Sequence, residues 1–293
     1  MRANLHPGIA SRPVFQRLLP TAGASTMPRS ARILLPRHIY HLTHRCHNGS
    51  FFLRFDTVRV EYRRRLWLAV RRFKIIMLNY CLTSNHIHLL LIVHRPALIS
   101  SFMRHLEGEF ASHYNRHRHR RGAFWSERYH ATLIENGCYF WNCMRYIDLN
   151  MVRAGVVKHP ADWPWCGYQE IVGLRQRYRI LDLQELLRLG DLSDLSAFAT
   201  RYNVELDQAL KTASGRREPH WTESIAVGSE AFVQRIAALS KNRKELEIRE
   251  WAEAAWYVRD PAAYHEPTAD TRANVSCDMN HVLNQKNSPI FWR

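Results

Sequence analysis

Two periods of apolar and polar residues run through positions 38–153, and they divide that stretch into strands and helices. His38-Ile39-Tyr40-His41-Leu42-Thr43 is rich in β-branched and aromatic residues and follows Pro36. It predicts a strand over about 37–43 with Ile39, His41 and Thr43 on one face. Asp56 reads as the N-cap of a helix in which Val58, Tyr62, Leu66, Ala69 and Phe73 recur every three or four residues. A second strand is expected over 75–82, followed by a turn at Thr83-Ser84-Asn85. The apolar run Leu89 to Val93 has no helical spacing and ends at Arg95-Pro96, so with His86 and His88 before it the segment reads as a buried strand. Leu98, Phe102, Leu106, Phe110 and Tyr114 mark a second helix. A fourth strand is expected over 128–135, and a third helix over 138–153 with Phe140, Met144, Ile147 and Met151 on its buried stripe.

This order predicts an α+β fold, an antiparallel sheet with helices packed on it, close to ferredoxin-like. Asp162-Trp163-Pro164-Trp165 and Gly167-Tyr168 read as a return segment that closes a domain over 31–170. Helical signals at 181–189, 194–202, 230–239 and 243–255 predict an accessory helical region over 171–258, and 259–293 reads as a polar, mobile tail. Residues 1–30 hold no acid and are rich in Arg, Pro, Ser and Ala. They read as a flexible basic arm, or as a start placed too early, with Met27 as a second beginning.

Composition sharpens the picture through charge. The 293 residues carry a net charge of +16, and all of the excess lies before residue 171, where 25 Lys and Arg face 9 Asp and Glu. A domain this basic is expected to bind a polyanion through phosphates, with strong salt dependence. No apolar run approaches the length of a membrane span and no secretory leader opens the chain, which predicts a soluble protein that is not secreted; with the basic charge, the expected place is the bacterial cytoplasm, at the nucleoid. The six cysteines show no Cys-x-x-Cys spacing and read as ordinary thiols.

The candidate chemistry starts from His86 and His88. On a strand, alternate side chains share a face, so two imidazoles stand together and can hold one cation from two sides. His117 and His119 have the same spacing, but they lie among Arg116, Arg118, Arg120 and Arg121, whose field repels a cation; that tract reads as a phosphate-contacting loop. On the third helix Tyr146 and Asn150 are four apart and share a face, which sets a phenol beside an amide oxygen. Tyr114, Tyr129 and Tyr139 have Arg118, Leu133 and Cys143 at that offset, none of them an oxygen ligand.

The segments SNHIHLLLIV, GAFWSERYHATLIE and RYIDLNMVRAGVVKHPADWPWCGYQEI together resemble the single-tyrosine HUH transposases, specifically the REP-associated tyrosine transposases. The resemblance covers about 30–170, with a weaker echo at TESIAVGSEAFVQRI. It implies a ferredoxin-like HUH nuclease domain in which His86, His88 and Asn150 bind a divalent cation, Mg²⁺ or Mn²⁺, and Tyr146 is the nucleophile. The implied activity is nicking and rejoining of single-stranded DNA at hairpin repeats through a 5′-phosphotyrosine, without a nucleotide cofactor. Met151 stands where many members have Pro, Cys46 where Gly is common, and Thr83-Ser84 where Met-Pro is usual. Arg63, Arg64, Arg65, Arg71, Arg72, Arg116, Arg118, Arg120 and Arg121 are candidates for the DNA backbone. Phe124 and Trp125 are either base-stacking residues or core.

Other readings are separable. A replication initiator or relaxase usually has a second tyrosine one turn after the first, where this chain has Asn150. A histidine-triad hydrolase needs a third alternating histidine, where Leu90 stands. No acid cluster supports a three-carboxylate nuclease. A hairpin-binding protein without catalysis is the alternative from another class. Whether the site is completed within one chain or across a homodimer stays open at this point.

Overall fold

The computed structural model describes residues 32–212, 218–241 and 243–261. The basic arm over 1–30 and nearly all of the tail expected from 259 lie outside them. The centre is a seven-stranded sheet in the order β2-β3-β1-β4-β5-β7-β6. β1 (Ile39–Arg45) lies between β3 (His86–Ile92) and β4 (His130–Ile134), antiparallel to both, and β2 (Ile76–Leu82) flanks β3. A central strand is covered on both faces, which is why β3 reads as a nearly continuous apolar run in which Ile87 and Leu89 to Leu91 are fully buried.

Helices divide between the two faces. α1 (Asp56–Phe73) and α2 (Ala97–His117) pack on the side of Tyr40, Leu42 and His44, using Tyr62, Leu66, Phe102 and Phe110. α3 (Cys138–Asp148) and the single turn α4 (Asn150–Arg153) occupy the opposite side. Asp56 is the first residue of α1 and makes no cap; Phe55 stands at the N-cap. The Asp56 carboxylate instead accepts from Arg59 at 2.8 Å and from the Trp165 indole at 3.2 Å. The expected third helix is interrupted at Leu149 (φ −77°, ψ 0°), though its buried stripe is as expected.

Past Gly155 the chain runs along the free edge of β2, with Leu82 N–H on Trp165 O, Gly167 N–H on Tyr80 O and Asp182 N–H on Met77 O. This protects an edge that would otherwise template another chain. α5 (Tyr168–Ile171), α6 (Leu183–Gly190), α7 (Leu195–Thr212), α8 (His220–Glu223) and α9 (Glu230–Ala238) supply the accessory helices. The helix expected over 243–255 is instead a β-hairpin, β6 (Glu247–Ala252) and β7 (Ala255–Arg259). With β5 (Ala226–Gly228) it extends the sheet, and β5 runs parallel to β4. The sheet is therefore mixed, not wholly antiparallel. Glu, Ile, Arg and Trp around 247–251 fit either an exposed strand or a helix; pairing with β7 decides between them, a tertiary effect that outweighs local propensity.

Candidate active site

The strand register builds the site floor. Thr43 lies opposite His88 and Arg45 opposite His86, so these side chains share the face turned toward α3. The His86 and His88 ring centroids are 4.8 Å apart. Tyr146 comes down on them from α3, its ring 5.7 Å from His88 and 5.9 Å from His41, edge-on to both. Asn150 follows one turn later, and its Nδ2 lies 3.0 Å from His88 Nε2. The break at Leu149 does not separate them, because Leu149 N–H still meets Arg145 O and Arg153 N–H meets Leu149 O. His86, His88, Tyr146 and Asn150 therefore converge within a single chain.

Two features set the pose of α3. Gly137, just before it, has φ 77° and ψ −135°, a conformation essentially reserved for glycine. At the other end buried Asp148 accepts from Asn79 Nδ2 of β2 at 3.1 Å and from the Tyr202 hydroxyl of α7 at 2.5 Å. Burial pushes the Asp148 carboxyl up to about 7, and the hydrogen bonds from Tyr202 and Asn79 oppose that rise. The nucleophile candidate is thus flanked by a backbone hinge and a buried polar anchor.

The protonation of His86 follows from its neighbours. Asn85 Nδ2 donates to Gly49 O at 3.2 Å, which turns Oδ1 toward His86 Nδ1 at 2.7 Å. An amide oxygen only accepts, so Nδ1 carries the proton and a cation would meet this ring through Nε2. Thr83 Oγ1 reinforces the arrangement, donating to His86 O and accepting from His86 N–H. For His88, burial above all, then His86, His41, Arg153 and Arg45, holds the ring well below the ordinary imidazole range. It is neutral at neutral pH and can offer a lone pair.

The donors suit a cation of intermediate hardness. Among the described residues no group of three or more His, Cys, Asp or Glu is placed to hold a metal ion, so the set is two imidazoles and one amide. Such a set carries no negative charge, and a phosphate would supply it. His86 Nε2, His88 Nε2 and the amide oxygen of Asn150 are the groups that would hold the ion.

Two cations were missed in reading the sequence. Arg153 lies with its guanidinium 4.3 Å from the Tyr146 ring centroid and donates to Tyr146 O at 2.6 Å. Arg45 is exposed and on the histidine face opposite His86. The period of β1 held the signal for Arg45, since it continues the row of His41 and Thr43. Of the arginines taken as DNA contacts, Arg63, Arg64, Arg65, Arg71 and Arg72 belong to α1, behind the sheet from Tyr146. Arg63 is bound to Tyr80, Glu170 and Tyr178 O, and Arg65 to Glu61 and Glu109. Arg120 donates to Asn115 and to the carbonyls of Gly122 and Ala123, and Arg118 lies over Phe55. Arg64, Arg71, Arg72, Arg116 and Arg121 are exposed. Phe124 is core, and Trp125 stacks on His44 at 4.6 Å with its indole N–H on Glu107 O. Cys46 is fully buried at φ −62°, so nothing at this position requires glycine.

The sequence profile of the family described as "Transposase IS200 like" matches residues 35–150, the stretch that holds all four site residues. Over these residues the chain is similar to IS200-like transposases. Two solved structures resemble the chain. One is of a REP-associated tyrosine transposase bound to a REP hairpin, 19% identical, covering 53% of this chain and 94% of its own, with a TM-score of 0.43. The other is of a protein from Deinococcus radiodurans R1 described as a transposase, 18% identical, covering 36% of this chain and 84% of its own, with a TM-score of 0.29. No curated protein matches. The matched stretch ends at Asn150, so Arg153 and everything that packs on Tyr146 from beyond it are outside the matched residues. Among the described residues no helix is long and apolar enough to cross a membrane.

Proposed function

We propose that the chain is a metal-dependent enzyme of the REP-associated type that nicks and rejoins single-stranded DNA at hairpin repeats, with Tyr146 as nucleophile. The observation that carries the reading is the meeting of Tyr146 with His88 and Asn150 inside one subunit. A second subunit is not needed to bring them together.

A bound Mg²⁺ or Mn²⁺ would withdraw charge from the scissile phosphate and orient it, and the two imidazoles favour Mn²⁺. His86 and His88 would hold it through their Nε2 atoms, and Asn150 would do so through its amide oxygen once Nδ2 leaves His88 Nε2. The Tyr146 oxygen attacks phosphorus in line: its bond to phosphorus forms, the bond from phosphorus to O3′ breaks, and the 3′-oxygen leaves as a hydroxyl. The strand is then held as a 5′-phosphotyrosine, and a second 3′-hydroxyl can reverse the step onto a new end. The phenol must lose its proton on attack, and Arg153 holds the residue in place, its guanidinium over the ring and on the Tyr146 carbonyl. Arg45, exposed on the histidine face, is a cation available there to the DNA backbone.

The test is cleavage of a single-stranded hairpin oligonucleotide by the full chain in Mn²⁺. The proposal expects nicking on one side of the hairpin foot, lost with EDTA and absent on fully paired duplex. Tight hairpin binding with no cleavage in Mn²⁺ or Mg²⁺ would favour a binding protein that has no catalysis, the nearest alternative.

A further inference from the structure

His41 is fully buried on β1, beside the site but with no place in the quartet. Its Nε2 lies 2.9 Å from His88 Nδ1, the rings stack at 5.1 Å, and its Nδ1 lies 2.9 Å from Trp221 O. These contacts fix every proton in the row. A carbonyl oxygen only accepts, so His41 Nδ1 carries its proton, and Nε2 of a neutral ring is left as an acceptor. His88 Nδ1 must then donate to it, which leaves His88 Nε2 bare and facing Asn150. The Asn150 contact agrees, because Nδ2 is a donor and needs an acceptor on His88.

We propose that His41 and the Trp221 carbonyl form a positioning relay that holds His88 in its Nδ1–H form, keeping the Nε2 lone pair on the cation site. Among the described residues His41 Nε2 is the acceptor that meets that proton. The relay also assigns work to the accessory region: Trp221 lies in α8, beyond the matched residues, and its ring rests 5.9 Å from Tyr146. One residue thereby roofs the nucleophile with its side chain and sets a ligand's tautomer with its main chain. Partners of this kind commonly change metal affinity about 10–100-fold when removed.

The inference rests on the proposed metal site, so its test needs two readouts. The first is the ¹⁵N shift pattern of His88 in metal-free protein, and the second is Mn²⁺ affinity by electron paramagnetic resonance. The wild type is expected to show a protonated Nδ1 and a bare Nε2. His41→Leu is expected to raise the Nε2–H form and weaken Mn²⁺ binding about 10–100-fold, and His41→Gln, which restores an acceptor, to recover part of it. Thr132→Val is the control: Thr132 donates to the Trp221 and Ser224 carbonyls but does not touch His88, so both readouts should hold. An Nε2–H form in the wild type, or unchanged tautomer and affinity in His41→Leu, would overturn the relay alone. Wild-type protein that binds no Mn²⁺ would overturn the metal site and the relay with it. If His41→Leu does not fold, the wild-type shift pattern and His41→Gln decide.

Discussion

Removing Arg63 separates two accounts of the α1 arginines. Read from sequence, Arg63 contacts DNA; in the fold its guanidinium reaches inward, Nε on the Tyr80 hydroxyl at 2.9 Å and one amino group on Glu170 Oε1 at 2.9 Å and Tyr178 O at 2.8 Å. Glu170 is fully buried and also accepts from Tyr80 Oη and from the backbone N–H groups of Ile180 and Leu181. Breaking a buried ion pair from one side costs roughly 3–5 kcal/mol because the other charge is stranded. Glu170 keeps three donors after Arg63→Ala, so the loss should sit at the lower end, about 3 kcal/mol. Arg64 is exposed and pairs with Glu61, and Arg64→Ala should cost less than about 1 kcal/mol. Urea unfolding at neutral pH, compared at constant m, measures both. Because stranding is the cause, Arg63→Met combined with Glu170→Gln should be more stable than Arg63→Ala alone. If Arg63→Ala were to lose under about 1 kcal/mol while hairpin affinity dropped, the buried-pair argument would be wrong and the DNA-contact reading restored.

Two further outcomes follow from the region around Tyr146. His220, stacked on Trp251 at 4.0 Å, is held neutral by burial with its pKa down to about 4. Its folded value lies below the unfolded one, so its contribution is present above pH ~6.5 and is lost as pH falls through the window to about 4, on the order of 3 kcal/mol. Unfolding curves between pH 7 and 4 should be flatter for His220→Phe than for wild type, and equal slopes would remove His220 as a cause. Arg153→Met should slow formation of the covalent DNA adduct about tenfold, equivalent to ~1.4 kcal/mol, with hairpin affinity changed less than the rate. A drop in affinity alone would make Arg153 a DNA contact and not a partner of the phenol.

Period and spacing made the fold over 38–153 legible, because its strands and helices each carry one clear apolar face. β3 shows this best: its histidines sit at the start of an apolar run, and the same alternation put His86 and His88 on one side. The C-terminal hairpin was not legible in the same way. Glu247 to Ala252 is mostly exposed and has no face to reveal its period, and only pairing with β7 makes it a strand. For the site, the quartet could be named, but its surroundings could not. His41 looked like one more member of a strand, and Trp221 acts through a carbonyl, which no side-chain pattern reports. The arginines were legible in part for a related reason. Charge counts point to a polyanion partner but not to which guanidinium groups are already used inside the fold, and Arg63 and Arg120 are spent on protein acceptors.

The central claim is that the Tyr146 oxygen becomes bonded to DNA. Incubating the full chain and Tyr146→Phe with a 5′- or 3′-labelled single-stranded hairpin in Mn²⁺, then denaturing and mapping the labelled peptide, measures this directly. The account predicts a denaturant-resistant adduct on the peptide containing Tyr146, carrying the strand downstream of the nick through its 5′-phosphate and absent from Tyr146→Phe. An adduct of equal yield in Tyr146→Phe, or one mapped to another tyrosine such as Tyr139, would contradict it.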